Sequence, residues 1–584
     1  MSTPTSLLTI GVASVALLTA CTTSTSHNVV KQPMTAVSCA SLATNFVAPK
    51  TRIVTAEVVP AGFVVPNMAT ALAMPEHCKV TGKMNERTGA DGQAYAIGFE
   101  MRLPVNWTGR FLFQVNGGND GVVQPAYGNV VAAGATTNAL LQGFAVLSSD
   151  AGHAQLPPQS LGADGKPVGL VGGNLFGLDP QARLDYGYQA NGALTPMAKQ
   201  LISTHYGQAP KTSYMMGCSN GGRHSLVAAS RYADQFDGII AGNAGFNLPK
   251  AAVQHAWDIQ AFNAVNPDIK LAFSPADMKL VGDKVLEKCD ALDGLVDGMV
   301  NNSPACQKAF DIKALQCQGD KTDACLSGKQ VTALQKVFAG PVNSKGEQLY
   351  SDWPWDAGVS ASATGFGTWR AWKLQGPIAN LPIIGVLGAG SVAYIFSTPA
   401  KPVAGNPPAL IQSLLEYNFD VDAPKIYATN AAFKESSMQF MTPPKATELE
   451  AFKARGGKLM VYHGTSDPVF SVNDTIRWYE SLNKHHKGQA AAFARLYTVP
   501  GSNHCQGGPA TDQFDMLTSM VNWVEKGQAP DQVIAAARPG VNPDVPASWS
   551  SNGKARTRPL CPYPQQVRYK GTGDINEAAN FSCQ

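Results

Sequence analysis

Ser219 lies in Gly217-Cys218-Ser219-Asn220-Gly221, a match to G-x-S-x-G. A serine hydroxyl is a poor nucleophile until a neighbouring base takes its proton. The pattern is common by chance, so its context decides its meaning. Residues 214–216 read as a short strand and residues 222–232 as a helix. A strand-to-helix turn with glycine on both sides of the serine would lift the hydroxyl clear of a sheet edge. The alternative is a glycine-rich turn with an incidental serine. In α/β-hydrolases the acid and then the histidine follow the serine along the chain. Asp467 and His504 satisfy that order, each in a loop after a predicted strand, at residues 458–463 and 493–499. Open α/β sheets hold their chemistry at such strand ends. The implied roles are attack by Ser219, proton shuttling by His504 and orientation of the imidazole by Asp467. Two backbone N–H groups would complete an oxyanion hole. Asn220 supplies one as the residue after the nucleophile. Gly118, in the glycine-rich run 116–121, is the preferred second.

The other histidines read differently. His485 and His486 lie beside Lys484 and Lys487 and suggest a solvated loop. His224, one helical turn past Ser219, reads as packing or polar surface. His153 is an outlying candidate for substrate contact. His463 ends a strand near Asp467 and is either a core histidine or a substrate-binding wall.

The chain has 11 Cys, and setting Cys21 aside leaves an even number. In an oxidising compartment that suggests a full set of disulfides. Short separations suggest Cys39 with Cys78, Cys289 with Cys306, Cys317 with Cys325, and Cys561 with Cys583. Cys218 and Cys505 remain. One directly precedes the candidate nucleophile and the other directly follows the candidate base. If Ser219 and His504 meet, these cysteines must lie close as well. A bond between them would preorganise the pair. The alternative leaves either thiol free and buried. No C-x-x-C pair supports zinc.

A second cluster, Cys289-Asp290-Ala291-Leu292-Asp293-Gly294-Leu295-Val296-Asp297-Gly298-Met299, gathers carboxylates and glycine turns that suit Ca²⁺. Its spacing is not that of an EF-hand. The alternative is an acidic surface loop.

These groups need a scaffold. Strands read at residues 94–103, 111–115, 144–147, 214–216, 236–241, 458–462 and 493–499. Helices read at 195–206, 222–232, 473–482 and 515–525. That alternation predicts an α/β class fold with a doubly wound, mostly parallel sheet. Between about 246 and 445 the rhythm dissolves, as for an inserted domain. The expected division is 27–245 and 446–584 for the two parts of the α/β domain, with 246–445 inserted.

The composition agrees. Hydrophobic residues make up 44% and charged residues 15% of the 584, which excludes a disordered chain or a coiled coil. The net charge of +3 predicts no nucleic-acid or polyanion partner. Residues 7–20 are apolar and end in Leu18-Thr19-Ala20-Cys21, which resembles a lipobox with a Thr/Ser tether behind it. Residues 1–26 are thus expected to be a signal segment, although residues 1–20 hold no Lys or Arg. A lipidated Cys21 would attach the chain to an outer membrane. A simply cleaved signal would release it to the periplasm or beyond.

The motifs together resemble the tannase/feruloyl esterase family of α/β-hydrolases. They are Gly217-Cys218-Ser219-x-Gly221-Gly222-Arg223, Phe176-Gly177-Leu178-Asp179-Pro180, Asn503-His504-Cys505, Cys561-Pro562-Tyr563-Pro564 and Gly573-Asp574-Ile575-Asn576. The Cys-Ser and His-Cys pairs joined by a disulfide are a mark of the family. The resemblance implies that 246–445 is a lid over the active site. It implies a structural calcium in that lid, held by side chains of Asp290, Asp293 and Asp297 and carbonyls of Leu295 and Met299. It also implies small aromatic-acid esters as substrates: ferulate, gallate or terephthalate monoesters. Of the lid tryptophans Trp353, Trp355, Trp369 and Trp372, the resemblance picks Trp372 for the pocket. The terephthalate-monoester branch holds the free carboxylate with a lid arginine. Here the matching stretch 376–396 contains no Arg or Lys, with Ile383 near that position and Leu387 in place of a ring-contacting aromatic. A buried carboxylate without a cation is costly. The expected function is therefore a serine esterase for feruloyl- or galloyl-type esters, with a terephthalate monoester as the alternative. Readings of other classes are a catalytically inactive hydrolase fold serving as a binding lipoprotein, and a metallohydrolase.

Overall fold

The computed structural model describes residues 36–584 except 63–71, 130–136, 163–164, 364 and 552. Cys21 and the signal segment lie outside the described residues. Nine strands share one sheet: β1 (Thr51–Val59), β2 (His77–Thr88), β3 (Ala94–Pro104), β4 (Arg110–Gln114), β5 (Phe144–Ser149), β6 (Thr212–Cys218), β7 (Gly238–Gly242), β8 (Lys458–Gly464) and β9 (Ala494–Val499). Their order is β1-β2-β3-β5-β4-β6-β7-β8-β9. From β5 to β9 every pairing is parallel. β1, β2 and β3 add an antiparallel flank, joined where β3 pairs with β5. β5 and β7 are buried along their whole length, as expected of parallel strands covered on both faces. β1, at the edge, is largely exposed.

Helices cover both faces. Ala190–Tyr206, Asn220–Arg231 and Val472–His485 pack into one core with Phe111, Phe113, Leu459 and Leu496. Met516–Lys526 covers the other face against Phe144, Tyr214 and Met460. The first of these helices begins five residues before the predicted start at 195. Pro196 lies inside it, and a π-helical turn at Asp185–Gln189 precedes it.

The chain leaves the sheet after β7 and returns at β8. Among the described residues this excursion has helices and turns but no strand in any ladder, which is why its sequence lacks a βαβ rhythm. It has its own core, built around Phe262, Phe273, Leu334, Ile384 and Phe396. That core also takes in Phe176, Ala182 and Tyr186 from the segment after β5. Arg183 explains the join: its guanidinium, 1% exposed, donates to Tyr394 O, Ser397 O and Thr398 Oγ1. At the other end, Leu449 and Phe452 pack with the sheet core. The core of the excursion therefore also draws on residues that precede 246.

The C-terminal tail pairs Val533–Ala536 with Gln513–Phe514 and Thr557–Leu560. It is closed by the Cys561–Cys583 bond.

The glycines after Ser219 serve close backbone approach. A Cβ on Gly222 would lie 2.3 Å from Gly242 O, and one on Gly221 would lie 2.5 Å from Val115 O. Gly222→Ala should therefore destabilise the fold by about 1–3 kcal/mol, as overpacking does. Denaturant melting checks this, and an unchanged midpoint would contradict the packing.

Candidate active site

Ser219 ends β6 and caps the helix Asn220–Arg231, with φ 66° and ψ −125°. A non-glycine residue rarely adopts positive φ, and such strain marks functional turns. The turn is held by Ser219 N donating to Gly242 O at 2.9 Å. Its flanking glycines let neighbouring backbones press in, while the strained torsion falls on the serine itself.

His504 follows β9, and its Nε2 lies 2.8 Å from Ser219 Oγ. Its Nδ1 lies 3.0 Å from both carboxylate oxygens of Asp467. Asp467, 2% exposed, accepts from Val469 N at 2.8 Å and Asn243 Nδ2 at 2.8 Å. Burial alone would push this carboxyl up. The charges and hydrogen bonds of His504 and His463 outweigh burial and hold it well below the usual carboxylate range. The acid stays ionised and fixes the imidazole with Nε2 toward the serine. The structure thus joins all three side chains in the geometry of a nucleophile, base and orienting acid.

His463 differs from a pocket wall. It is fully buried, with Nδ1 at Thr475 Oγ1 (2.9 Å) and Nε2 at Phe470 O (3.0 Å) and Asp467 Oδ2 (3.2 Å). It packs against the acid, with Thr475 of the helix after β8 on its other ring nitrogen.

Cys218 and Cys505 form a disulfide across 287 residues. Their Cα atoms lie 6.1 Å apart, so the bond ties the serine turn to the histidine loop. The other four pairs also form as the short separations suggest.

Asn220 begins its helix, where backbone N–H groups lack intrahelical acceptors. Gly118 has φ +63°, which suits a residue without Cβ, and a Cβ on adjacent Gly117 would sit 3.6 Å from Ser219 Cβ. The loop of Gly118 therefore lies against the nucleophile turn, which Asn220 directly follows. A network that the sequence did not reveal locks them together. Asp120 Oδ2 accepts from Asn220 Nδ2 at 2.7 Å and lies 2.9 Å from His224 Nε2. Arg223 Nε donates to Asn220 Oδ1 at 2.6 Å. Burial pushes Asp120 up and His224 down, so each is driven toward its neutral form. His224 is thus a buried strut rather than surface. His153 is also buried, stacked on Phe176 at 3.6 Å, with Nε2 at 2.8 Å from Asn119 O. It supports the loop through Nε2. The glycine spacing showed the loop, but its dependence on His224 needed the three-dimensional fold.

Of the four tryptophans, Trp372 stands against the imidazole of His504, with ring centroids 5.0 Å apart. Phe470 stands on it at 5.5 Å. Trp355 stacks on Phe338, Trp369 meets Phe262, and Trp353 lies under Lys373. Ile383 is fully buried. Leu387 is partly buried in the π-helical turn Ile384–Gly388, against the core of the excursion.

Asp290, Asp293 and Asp297 are each 7% exposed, so the acidic side chains turn inward although Leu292 and Val296 of the same loop are exposed. Asp290 accepts from Asp297 N and Gly298 N, and Asp293 accepts from Leu295 N and Asn301 Nδ2. The C-terminal tail closes on this loop. Arg558 Nη2 meets Asp297 Oδ2 at 2.5 Å, Arg556 donates to Asp297 O and Arg568 donates to Asp293 O. The three carboxylates are oxygen donors of the type a divalent cation takes, but Asp297 is already paired with Arg558, and among the described residues the acidic and histidine side chains whose ligand atoms converge lie elsewhere. A separate group, Glu450, His485 and His486, converges near the surface. There Lys453 Nζ lies 3.1 Å from His486 Nδ1, which opposes a cation. His486 is buried, contrary to the solvated loop expected from its lysine neighbours.

Comparison with known proteins accords with this geometry. Residues 78–584 match the family "Tannase and feruloyl esterase". The chain belongs to this family. It is 44% identical over 545 residues to the mono(2-hydroxyethyl) terephthalate hydrolase of Piscinibacter sakaiensis, covering 89% of this chain and 86% of that one. Its fold resembles feruloyl esterase B from Aspergillus oryzae, with a TM-score of 0.72 at 22% identity over 94% of this chain and 99% of that one. It also resembles a tannin acyl hydrolase from Aspergillus niger, with a TM-score of 0.62 at 19% identity over 94% and 93%. As a member of the tannase and feruloyl esterase family, the chain is a carboxylic ester hydrolase, and the inactive-binder reading is set aside. Among the described residues no helix is long and apolar enough to cross a membrane.

Replacing Cys218 and Cys505 together by Ala should lower kcat about tenfold or more while circular dichroism stays native, because misplacement by about 1 Å is costly in rate. Unchanged turnover would show that the disulfide does not position the pair.

Proposed function

We propose that the chain is an exported serine esterase that cleaves neutral esters of aromatic acids through an acyl-enzyme intermediate. The observation that carries the reading is the Ser219–His504–Asp467 chain with Trp372 and Phe470 set against the imidazole. Ser219 Oγ attacks the ester carbonyl carbon as His504 Nε2 takes its proton. The developing oxyanion takes hydrogen bonds from the N–H groups of Gly118 and Asn220. His504 returns the proton to the departing alcohol as the carbon–oxygen bond breaks. Water then attacks the acyl-serine, giving its proton to His504 and releasing the acid. The excursion between β7 and β8 acts as the lid, and Trp372 supplies the flat apolar wall an aromatic acyl group needs.

Nearby cations favour a neutral acyl group. Lys373 pairs with Asp258 at 2% and 0% side-chain exposure. Arg370 donates to Phe273 O, Lys270 O and Gln375. Neither is open to a free carboxylate, and residues 376–396 hold no Arg or Lys. The second reading, a terephthalate monoester, is favoured by the 44% identical relative named for that reaction. Export is supported by the five disulfides and by the apolar residues 7–20 before Cys21. We assign a structural calcium to the loop of Asp290, Asp293 and Asp297, with carbonyls of Leu295 and Met299 as further ligands. Its role is to neutralise buried carboxylates and join lid to tail.

Measurement of kcat/KM on methyl ferulate, methyl gallate, mono(2-hydroxyethyl) terephthalate and its neutral methyl-capped diester decides between the readings. Neutral esters should lead, and Ser219→Ala should remove at least about 10⁴-fold of the activity. A lead for the charged monoester would mean that some other cation binds its carboxylate. Chelation of divalent ions should lower Tm by several degrees, with recovery on adding calcium. An identical melting curve would remove the metal assignment.

A further inference from the structure

His255 lies on the helix Leu248–Asn263, which begins shortly after β7. The loop entering this helix touches the nucleophile turn, with Gly245 N donating to Ser219 O at 3.4 Å. The imidazole is 7% exposed, and neither ring nitrogen has a hydrogen-bond partner among the described residues. Leaving both nitrogens of a buried ring unpaired is costly, and such groups call for an explanation. Its surroundings supply one. A Cβ on Gly388 would fall 2.5 Å from His255 Nδ1, so the turn Ile384–Gly388 lies directly on the ring. One helical turn further, Asp258 engages Lys373, the residue after Trp372. Trp372 in turn faces His504. His255 is therefore covered by the turn that carries Leu387, and it lies one helical turn from the Asp258–Lys373 pair that adjoins Trp372.

We propose that His255 determines specificity for the acyl ring by hydrogen-bonding a phenolic hydroxyl on the aromatic acid. This rests on the aromatic-ester reading above and narrows its substrate class. A neutral imidazole has one donor and one acceptor nitrogen, and a phenol can both donate and accept. Burial, then the charges of Lys373 and His504, push the His255 pKa down to about 3, which keeps the ring neutral. Lys373 cannot take the hydroxyl's place, because Asp258 occupies it.

The test compares methyl p-coumarate with methyl p-methoxycinnamate, which differ by one methyl on the phenol oxygen. The wild type should favour the free phenol by about tenfold in kcat/KM, the scale of one hydrogen bond lost in a buried site. In His255→Ala that ratio should collapse toward one, and His255→Gln, which keeps a donor and an acceptor, should restore part of it. A wild-type ratio near one would overturn the proposal, and so would a ratio that survives His255→Ala while both rates fall together. The wild-type comparison and the Gln variant keep the test decisive if the Ala variant fails to fold. Absence of Ser219-dependent turnover of either ester would sink the aromatic-ester reading itself. Turnover of both without discrimination would sink the role of His255 alone.

Discussion

Ser219 and His504 are 285 residues apart in sequence and 2.8 Å apart in space. Two strands, β7 and β8, separate the strand ends that carry them. The two loops must therefore lean toward each other across those ends, and much of the structure can be understood as holding that lean. The Cys218–Cys505 bond acts from below, adjacent to both residues. Asn243, at the end of β7, reaches from the middle, donating to Asp467 Oδ2 and to Asn503 O. The acid and base loops are stitched directly as well. Ser466 N donates to Ser502 O and Gly501 N to Thr465 Oγ1, while Gly464 lacks a Cβ that would lie 2.4 Å from Ser502 O. A single loose member would misplace the others, which is why the ties are redundant.

The lid belongs to the same constraint. Asp356, 1% exposed, accepts from Thr465 Oγ1 and Ser466 Oγ, the two residues before the catalytic acid. Asn503, the residue before the catalytic base, donates to Gly358 O and accepts from Trp369 N. Each catalytic loop thus has a lid residue as a structural partner. An excursion that only shielded the site would need no such bonds. Here the excursion between β7 and β8 holds the loops of Asp467 and His504 in place, and Trp372 meets His504 from a helix anchored through Asn503.

Legibility in the sequence followed how local the determining physics was. Ser219 was legible because an elbow is a short strand–turn–helix event. Asp467 and His504 followed from strand ends and chain order, and the cysteines beside the triad gave an independent constraint. The antiparallel flank was not legible, because nothing near β3 says that it pairs with β5 rather than β4. The role of residues 176–186 in the lid core was hidden for a similar reason: Arg183 finds its carbonyl partners more than 200 residues later. His463 shows the limit most clearly. Its closeness to Asp467 in sequence is real, but the ring turns inward because Thr475, on the next helix, meets it there. Linear proximity gave the partner and not the side of the partner on which it stands.

The buried ionisable groups divide into two sets, one beside the nucleophile turn and one in the excursion between β7 and β8. Asp120, His224 and Arg223 bond to one another and to Asn220 beside the nucleophile turn. Asp258 and Lys373 close on each other in the lid. Such pairs contribute little net stability against an apolar alternative, since desolvation offsets most of their attraction. What they do is leave Lys373 and Arg223 engaged within the protein. With the cations near Trp372 already engaged, His255 is the histidine among the described residues that leaves both ring nitrogens buried and without a partner, which is why the proposal above turns on it.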